Sequence, residues 1–103
     1  ARAAVAARAD VLVCGDDDID YAAVRHALAA RGLTRVLCEG GPTILGRVLT
    51  SGELDELCLS VSPSAAGPGA GRIVAGAEWE APRTLRLAGL LEEDGALFLR
   101  YRR

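Results

Sequence analysis

The order of three short apolar runs and two helical stretches constrains this chain more than any other feature. The apolar runs cover residues 9–14, 35–39 and 57–61, and the stretches with helical spacing, residues 21–31 and 42–50, lie between them. Short runs rich in β-branched residues that end at glycine or proline are typical of strands. A strand–helix–strand–helix–strand order predicts an α/β fold with a mostly parallel sheet and right-handed crossovers.

Capping residues mark the ends of both predicted helices. Asp20 is a good N-cap for the first helix, and Gly32 suits its C-cap. Pro42 suits the first turn of the second helix, and Gly52 marks its end. The alanine-rich residues 1–9 are interpreted as the tail of a helix or as a connector.

The C-terminal third follows a different pattern. Residues 62–76 are rich in glycine and other small residues and predict a loop. Two alternating runs, residues 84–91 and 96–102, are joined by residues 92–95, which end in the hairpin signal Asp-Gly. We therefore predict a C-terminal antiparallel hairpin. Because this hairpin continues the sheet after the last crossover, it argues against a flavodoxin-like nucleotide-binding domain.

Composition and charge exclude several classes of protein. The 103 residues carry a formal net charge of -2, and no apolar run approaches the roughly 18 residues that span a bilayer. The sequence shows neither a signal-peptide pattern nor the clustered basic face of a nucleic-acid-binding module. Cys14, Cys38 and Cys58 lack the close spacing of a zinc site. We therefore expect reduced thiols in a cytoplasmic protein that binds neither nucleic acid nor membranes.

The segment from Glu39 to Thr43 carries the most informative polar pattern. Gly40 and Gly41 lie where a predicted strand ends and a predicted helix begins, and Pro42 and Thr43 open that helix. Glycines at this position let a ligand approach the backbone, and a helix N-terminus offers unpaired N–H groups to a phosphate. Two interpretations remain open, a phosphate-binding corner and a tight strand-to-helix turn.

Two charged residues are candidates for ligand contacts, each with a structural alternative. Glu39 follows a strand at the carboxyl edge of the predicted sheet, where α/β ligands bind, or it caps the two glycine amides. Arg72 ends the run Gly-Pro-Gly-Ala-Gly-Arg and either meets a phosphate or remains solvated on a flexible connection.

Other polar residues are given structural interpretations. Three adjacent carboxylates cannot all face one ion, so Asp16, Asp17 and Asp18 predict a solvated turn, and no metal site is expected. His26 has no nucleophile or acid in register and is interpreted as a surface or packing residue. We expect Trp79 to anchor a loop. We expect the carboxylates of Asp55 and Glu56 to have a structural or interface role.

Two motifs in a fixed order resemble a known family. Residues 36–43 are Val-Leu-Cys-Glu-Gly-Gly-Pro-Thr, and residues 54–63 are Leu-Asp-Glu-Leu-Cys-Leu-Ser-Val-Ser-Pro. A glycine-rich loop and residues 97–101, Leu-Phe-Leu-Arg-Tyr, follow. Together they resemble the reductase domain of riboflavin biosynthesis, the pyrimidine reductases, which have a dihydrofolate-reductase-like fold. The resemblance covers residues 9–103.

The resemblance implies a fold, an activity and roles for residues. The fold would be a mostly parallel twisted sheet flanked by helices, with an antiparallel edge formed by the C-terminal hairpin. The activity would be NADPH-dependent reduction of a 5-amino-6-(5-phosphoribosylamino)uracil-type substrate to its ribitylamino form, in a homodimer. Gly40, Gly41, Pro42 and Thr43 would bind the cofactor, and Glu39 would be the acid near the nicotinamide and the substrate.

The length departs from the family pattern. Reductase domains of this family are about twice as long, and the chain has no methionine, even at position 1. We therefore interpret residues 1–103 as the C-terminal part of a single reductase domain and expect these residues to be inactive alone. Two alternatives stay open: a related enzyme that reduces another heterocycle, and a catalytically silent module for ligand binding or dimerisation.

Overall fold

The computed structural model of the chain describes residues 2–69, 71–76 and 78–103. It divides into two units, Ala1–Cys38 and Glu39–Arg103, which are described in turn. Within the described ranges, no helix combines the length and the apolar character needed to cross a membrane.

Two helices form the regular structure of the first unit. Helix α1 covers Arg2–Ala6, and helix α2 covers Tyr21–Ala29. The Asp20 side chain accepts a hydrogen bond from the Ala23 N–H at 3.0 Å, which confirms the predicted N-cap. Helix α2 ends at Ala29 with Ala30 as its C-cap, two residues before the predicted end at residue 31, and Gly32 adopts a φ of 79° in the turn that follows, a conformation that favours glycine.

The first two predicted strands differ from expectation. Residues 9–14 and 35–39 belong to no helix, and within the described part of the chain neither segment pairs with a strand. Most of their apolar side chains are exposed, among them Val11, Val13 and Val36, and Leu37 exposes 82% of its surface. A parallel strand needs a neighbour for its backbone hydrogen bonds, and the described residues supply none to these segments. The predicted parallel sheet is therefore not formed here.

Helix α3 opens the second unit and spans Pro42–Ser51, one residue longer than predicted. Gly41 is its N-cap, and Gly52 is its C-cap with a left-handed φ of 76°. Gly46 and Val48 are buried on this helix. Val48 exposes 8% of its surface, so the core of this unit lies along α3.

The last residue of the chain bonds to the turn that follows α3. The Arg103 guanidinium donates to the carbonyl oxygen of Gly52. The Arg103 backbone N–H donates to the carbonyl oxygen of Asp55 at 3.3 Å. Cations stabilise helix C-termini, so the Arg103 side chain complements the end of α3.

A three-stranded antiparallel sheet completes the second unit. Strands β1 (Glu56–Val61), β2 (Arg86–Glu93) and β3 (Ala96–Arg102) are arranged in the order β1-β3-β2. The predicted hairpin is confirmed, with Asp94 and Gly95 both at positive φ, as a tight two-residue turn requires. The third predicted strand, β1, is not parallel to its neighbour, because β3 returns beside it in the antiparallel direction.

The register gives the sheet two different faces. Leu57 lies opposite Tyr101, and Leu59 lies opposite Leu99, so one face is apolar and half-buried. The other face is exposed and mixes charged and apolar side chains; among its members are Glu56, Cys58, Phe98, Arg100, Arg102 and Leu91. The register of β2 shifts between Leu87 and Gly89, where a bulge interrupts the ladder.

Candidate functional site

The predicted site lies where an extended segment enters α3. Gly41 is extended, with φ -61° and ψ -177°, and Pro42 occupies the first helical turn, where its missing N–H costs no hydrogen bond. The first helical bond runs from the Leu45 N–H to the Gly41 carbonyl oxygen at 3.1 Å. No side chain caps the N-terminus of α3. Its first amide groups are therefore available to an outside acceptor.

The two glycines before α3 are needed for different reasons. A Cβ added to Gly40 would lie 2.8 Å from Ile44 Cδ1, so packing inside the chain requires glycine there. A Cβ added to Gly41 would meet nothing within 4 Å, and its φ is accessible to any residue. Nothing in the described chain therefore fills the space beside Gly41. This open space is the feature expected of a corner that a ligand approaches closely.

The remaining predicted residues of this segment are accessible. Glu39, Pro42 and Thr43 are exposed, whereas Gly40 is half-buried. The structure thus places the five residues from Glu39 to Thr43 together in one unit, at the entrance to one helix. Which of them touch a ligand stays a prediction.

The glycine-rich loop lies against the beginning of α3. The Ala75 N–H donates to the Pro42 carbonyl oxygen at 3.0 Å. A Cβ at Gly46 would collide with the Ala75 carbonyl oxygen and would lie 3.4 Å from Val74 Cγ1. Glycine inside a helix lowers its stability by roughly 0.5–1 kcal/mol, so Gly46 is explained by this close approach. Gly46 was not predicted from the sequence, although a glycine on the apolar face of a predicted helix was a visible signal.

Arg72 precedes the bonded Ala75 by three residues. It is exposed and belongs to the same unit as the entrance of α3. Three extended residues span at most about 10 Å, so the Ala75 bond limits how far the Arg72 backbone lies from the first turn of the helix.

One carboxylate and two arginines form a charged cluster on the sheet. Glu56 Oε2 accepts from Arg102 Nε at 2.9 Å, and Arg100 Nε lies 3.8 Å from the same oxygen. The hydrogen bond from Arg102 is the main cause that lowers the pKa of Glu56; burial opposes this shift, and the charges of Arg100 and Arg102 reinforce it. These contacts agree with the structural role expected of Glu56.

Comparison with known proteins identifies the family. The model of the RibD C-terminal domain matches residues 2–96. This chain belongs to that family. The RibD C-terminal domain is the reductase domain of riboflavin biosynthesis, so the resemblance seen in the sequence motifs is confirmed at the family level.

A solved structure extends the comparison to the fold. This chain is similar to a pyrimidine reductase-like protein from Corynebacterium diphtheriae, with a TM-score of 0.79 and 24% sequence identity. The match covers 95% of this chain and 40% of that protein, so the present chain spans less than half of its length. At this identity the likeness shows the fold alone. No curated protein matches the sequence.

Proposed function

We propose that this RibD C-terminal domain chain is the C-terminal part of an NADPH-dependent pyrimidine reductase. The substrate is a 5-amino-6-(5-phosphoribosylamino)uracil-type compound, which is reduced to its ribitylamino form. The observation that carries this proposal is the family match over residues 2–96, which includes the whole entrance of α3. The open, uncapped geometry at that entrance supports the same function.

The entrance of α3 suits the diphosphate of a dinucleotide. A diphosphate needs N–H donors, positive potential and close access to the backbone. The uncapped helix N-terminus offers the first two, and the open space beside Gly41 offers the third. Gly40, Gly41, Pro42 and Thr43 would hold the cofactor, with the Thr43 hydroxyl as an extra donor. When bound, NADPH supplies the hydride.

The protein's own side chains would bind and orient the substrate. Glu39 is exposed directly before the cofactor-binding residues, so its carboxylate can accept hydrogen bonds from substrate N–H or hydroxyl groups beside the nicotinamide. The Arg72 guanidinium would bind the substrate phosphate through charge-assisted hydrogen bonds. Glu39 and Arg72 would thus fix the two ends of a phosphorylated pyrimidine.

The rest of the reductase domain must come from another segment of polypeptide. Val13, Val36 and Leu37 are exposed on extended segments, and both outer strands of the sheet, β1 and β2, have an edge without a neighbour among the described residues. The chain also spans 40% of its solved relative. We therefore expect residues 1–103 to have no reductase activity by themselves.

The exposed face of the sheet supports a homodimer. Leu91 lies opposite Phe98 there, and Leu91 exposes 72% of its surface. The turn end of the sheet is acidic, with Glu92, Glu93 and Asp94. The other end has an excess of basic side chains, with Arg86, Arg100 and Arg102 around the carboxylate of Glu56. A two-fold axis would bring the acidic end of one protomer to the basic end of its partner. Free thiols at all three cysteines fit a dimer in the reducing cytoplasm.

A kinetic comparison of two glycine variants tests this function. In a longer protein that contains this chain and the rest of the domain, Gly41→Val fills the open space beside α3. We expect the KM for NADPH to rise about tenfold or more, because the side chain excludes a phosphate group from the helix amides. Gly67→Val is the matched control, since a Cβ at Gly67 also meets nothing within 4 Å. NADPH oxidation in the presence of the pyrimidine substrate is the readout.

Four results would contradict parts of the proposal. Equal KM values for Gly41→Val and Gly67→Val would contradict binding of the cofactor at the entrance of α3. Turnover of a dihydrofolate in place of the pyrimidine would contradict the proposed substrate. NADPH binding without any turnover would indicate a silent binding module, and turnover by the 103-residue chain alone would show that no further segment is needed.

A further inference from the structure

The segment that follows the glycine-rich loop lines an open depression. Arg72 and Arg83 lie among its lining residues, and so does Trp79. The bond between Ala75 and Pro42 fixes one wall of this depression relative to α3. The depression therefore belongs to the same unit as the entrance of α3, and it adds Arg83 to two residues that the sequence had already marked, Arg72 and Trp79.

The lining of the depression carries positive charge that the chain does not neutralise. Arg72 and Arg83 are exposed, and within the described residues neither guanidinium has an ion pair or hydrogen bond. In contrast, Arg100 and Arg102 pair with Glu56. Glu78 is the one carboxylate in the lining, so two guanidinium groups face a single negative charge. This balance favours an anion, and a guanidinium binds a phosphate group with paired hydrogen bonds.

Trp79 adds a flat apolar surface to this charge. The indole is half-buried, whereas the carboxylates on either side of it, Glu78 and Glu80, are exposed. A partly open indole in a basic depression offers a stacking surface for a heterocycle. A loop anchor alone explains neither the remaining exposure of the ring nor the two unpaired arginines beside it.

We infer that the depression formed by Arg72, Trp79 and Arg83 binds a phosphate ester carried on a flat heterocycle. The guanidinium groups bind the phosphate, and the indole stacks on the ring. Two ligands of the proposed reductase share this chemistry: the adenosine phosphate end of the dinucleotide and the phosphorylated pyrimidine substrate. The inference rests on the proposed function only for the choice between these two sources.

Tryptophan fluorescence provides a direct test, because Trp79 is the only tryptophan in the chain. A longer protein that contains this chain and the rest of the domain is titrated with 2′,5′-ADP and, separately, with uridine 5′-phosphate; inorganic phosphate and adenosine serve as partial ligands, and Trp79→Phe shows which part of the signal comes from the Trp79 indole. We expect saturable quenching by at least one of the two nucleotides. Tighter binding of 2′,5′-ADP assigns the depression to the dinucleotide, and tighter binding of uridine 5′-phosphate assigns it to the substrate.

Variants of Arg83 test whether the binding occurs in the depression. Arg83→Gln should raise the Kd about tenfold to a hundredfold, as expected for the loss of a charged hydrogen bond, and Arg83→Lys should have a smaller effect. Arg8→Gln, an exposed arginine of the first unit, is the matched control and should leave the Kd unchanged. Phosphorus NMR of the nucleotide gives a second readout that does not depend on the indole.

Several outcomes would overturn the inference. These are the absence of quenching and of phosphorus line broadening at millimolar nucleotide, an unchanged Kd in Arg83→Gln, and equal affinity for inorganic phosphate alone. If the longer protein still turns over NADPH while the depression binds nothing, this inference fails and the proposed function stands. If quenching depends on Arg83 but no turnover occurs, the reductase function fails and the binding site stands.

Discussion

The two units of this chain differ in how their backbone hydrogen bonds are completed. In the first unit, the side chain of Asp20 caps helix α2 by accepting a hydrogen bond from the Ala23 N–H, three residues later. The extended segments around this helix have no pairing partner among the described residues. In the second unit, three strands pair with one another, and a loop bonds to the first turn of α3. The comparison shows that local capping is enough to define a helix, whereas a strand needs a neighbour that is distant in sequence.

The largest expected effect concerns the close approach of the loop to α3. Gly46→Val places a side chain against the backbone of Ala75, and overpacking of this kind costs about 1–3 kcal/mol. We expect the Ala75 amide, which bonds to Pro42, to exchange its hydrogen faster, while the amides of α2 in the first unit keep their rates. Hydrogen exchange measured by residue tests this.

Gly67→Val provides the control for that experiment, because the added side chain meets nothing within 4 Å. Unchanged exchange at Ala75 in Gly46→Val would show that the loop does not depend on this contact. Faster exchange in both units would show instead that their stabilities are coupled.

A smaller effect is expected when the local signal of the first unit is removed. Asp20→Ala deletes the N-cap of α2 and should cost about 1 kcal/mol of helix stability. The Ala23 amide should exchange faster, and the sheet of the second unit should not respond. Asp17→Ala, in the exposed turn before the helix, is the control; an equal effect of the two variants would contradict a specific capping role for Asp20.

The smallest effect is the pH dependence that Glu56 gives to the sheet. Its pKa in the folded chain is lowered below 4.5, mainly by the hydrogen bond from Arg102. A carboxyl whose pKa is lowered on folding stabilises the fold above its unfolded pKa, and this contribution is lost as the pH falls through the folded pKa. The effect is small because the group is solvated.

Acid titration of stability compares Glu56→Gln with Glu93→Gln, a carboxylate at the other end of the sheet. We expect Glu56→Gln to flatten the loss of stability below about pH 4.5, the ordinary value for this carboxyl, whereas Glu93→Gln should keep the slope of the parent chain. Identical acid slopes for Glu56→Gln and the parent chain would show that the ion pairs with Arg100 and Arg102 are not linked to folding.

Local signals in the sequence predicted much of this fold. Asp20 marked the start of α2, Gly52 the end of α3, and the Asp94-Gly95 pair the C-terminal turn. Each of these depends on bonds within a few residues. The direction of β1 could not be predicted, because it depends on pairing with β3, whose residues lie about forty positions later in the chain.

The candidate site was predictable only where its residues are consecutive. Glu39 to Thr43 were recognised because strand end, glycines and helix start adjoin in the sequence. The contact of Gly46 with Ala75, and the gathering of Arg83 with Arg72 and Trp79, depend on the path of the loop in space. No spacing rule anticipates a loop path, so the roles of Gly46 and Arg83 became visible only in the structure.

The two bonds made by Arg103 limit how this chain can be engineered. A variant shortened by one residue loses both links from the end of β3 to the turn after α3, at Gly52 and Asp55. That turn ends the helix whose other end carries the predicted cofactor residues. A change at Arg103 therefore reaches the far end of the helix that opens at those residues.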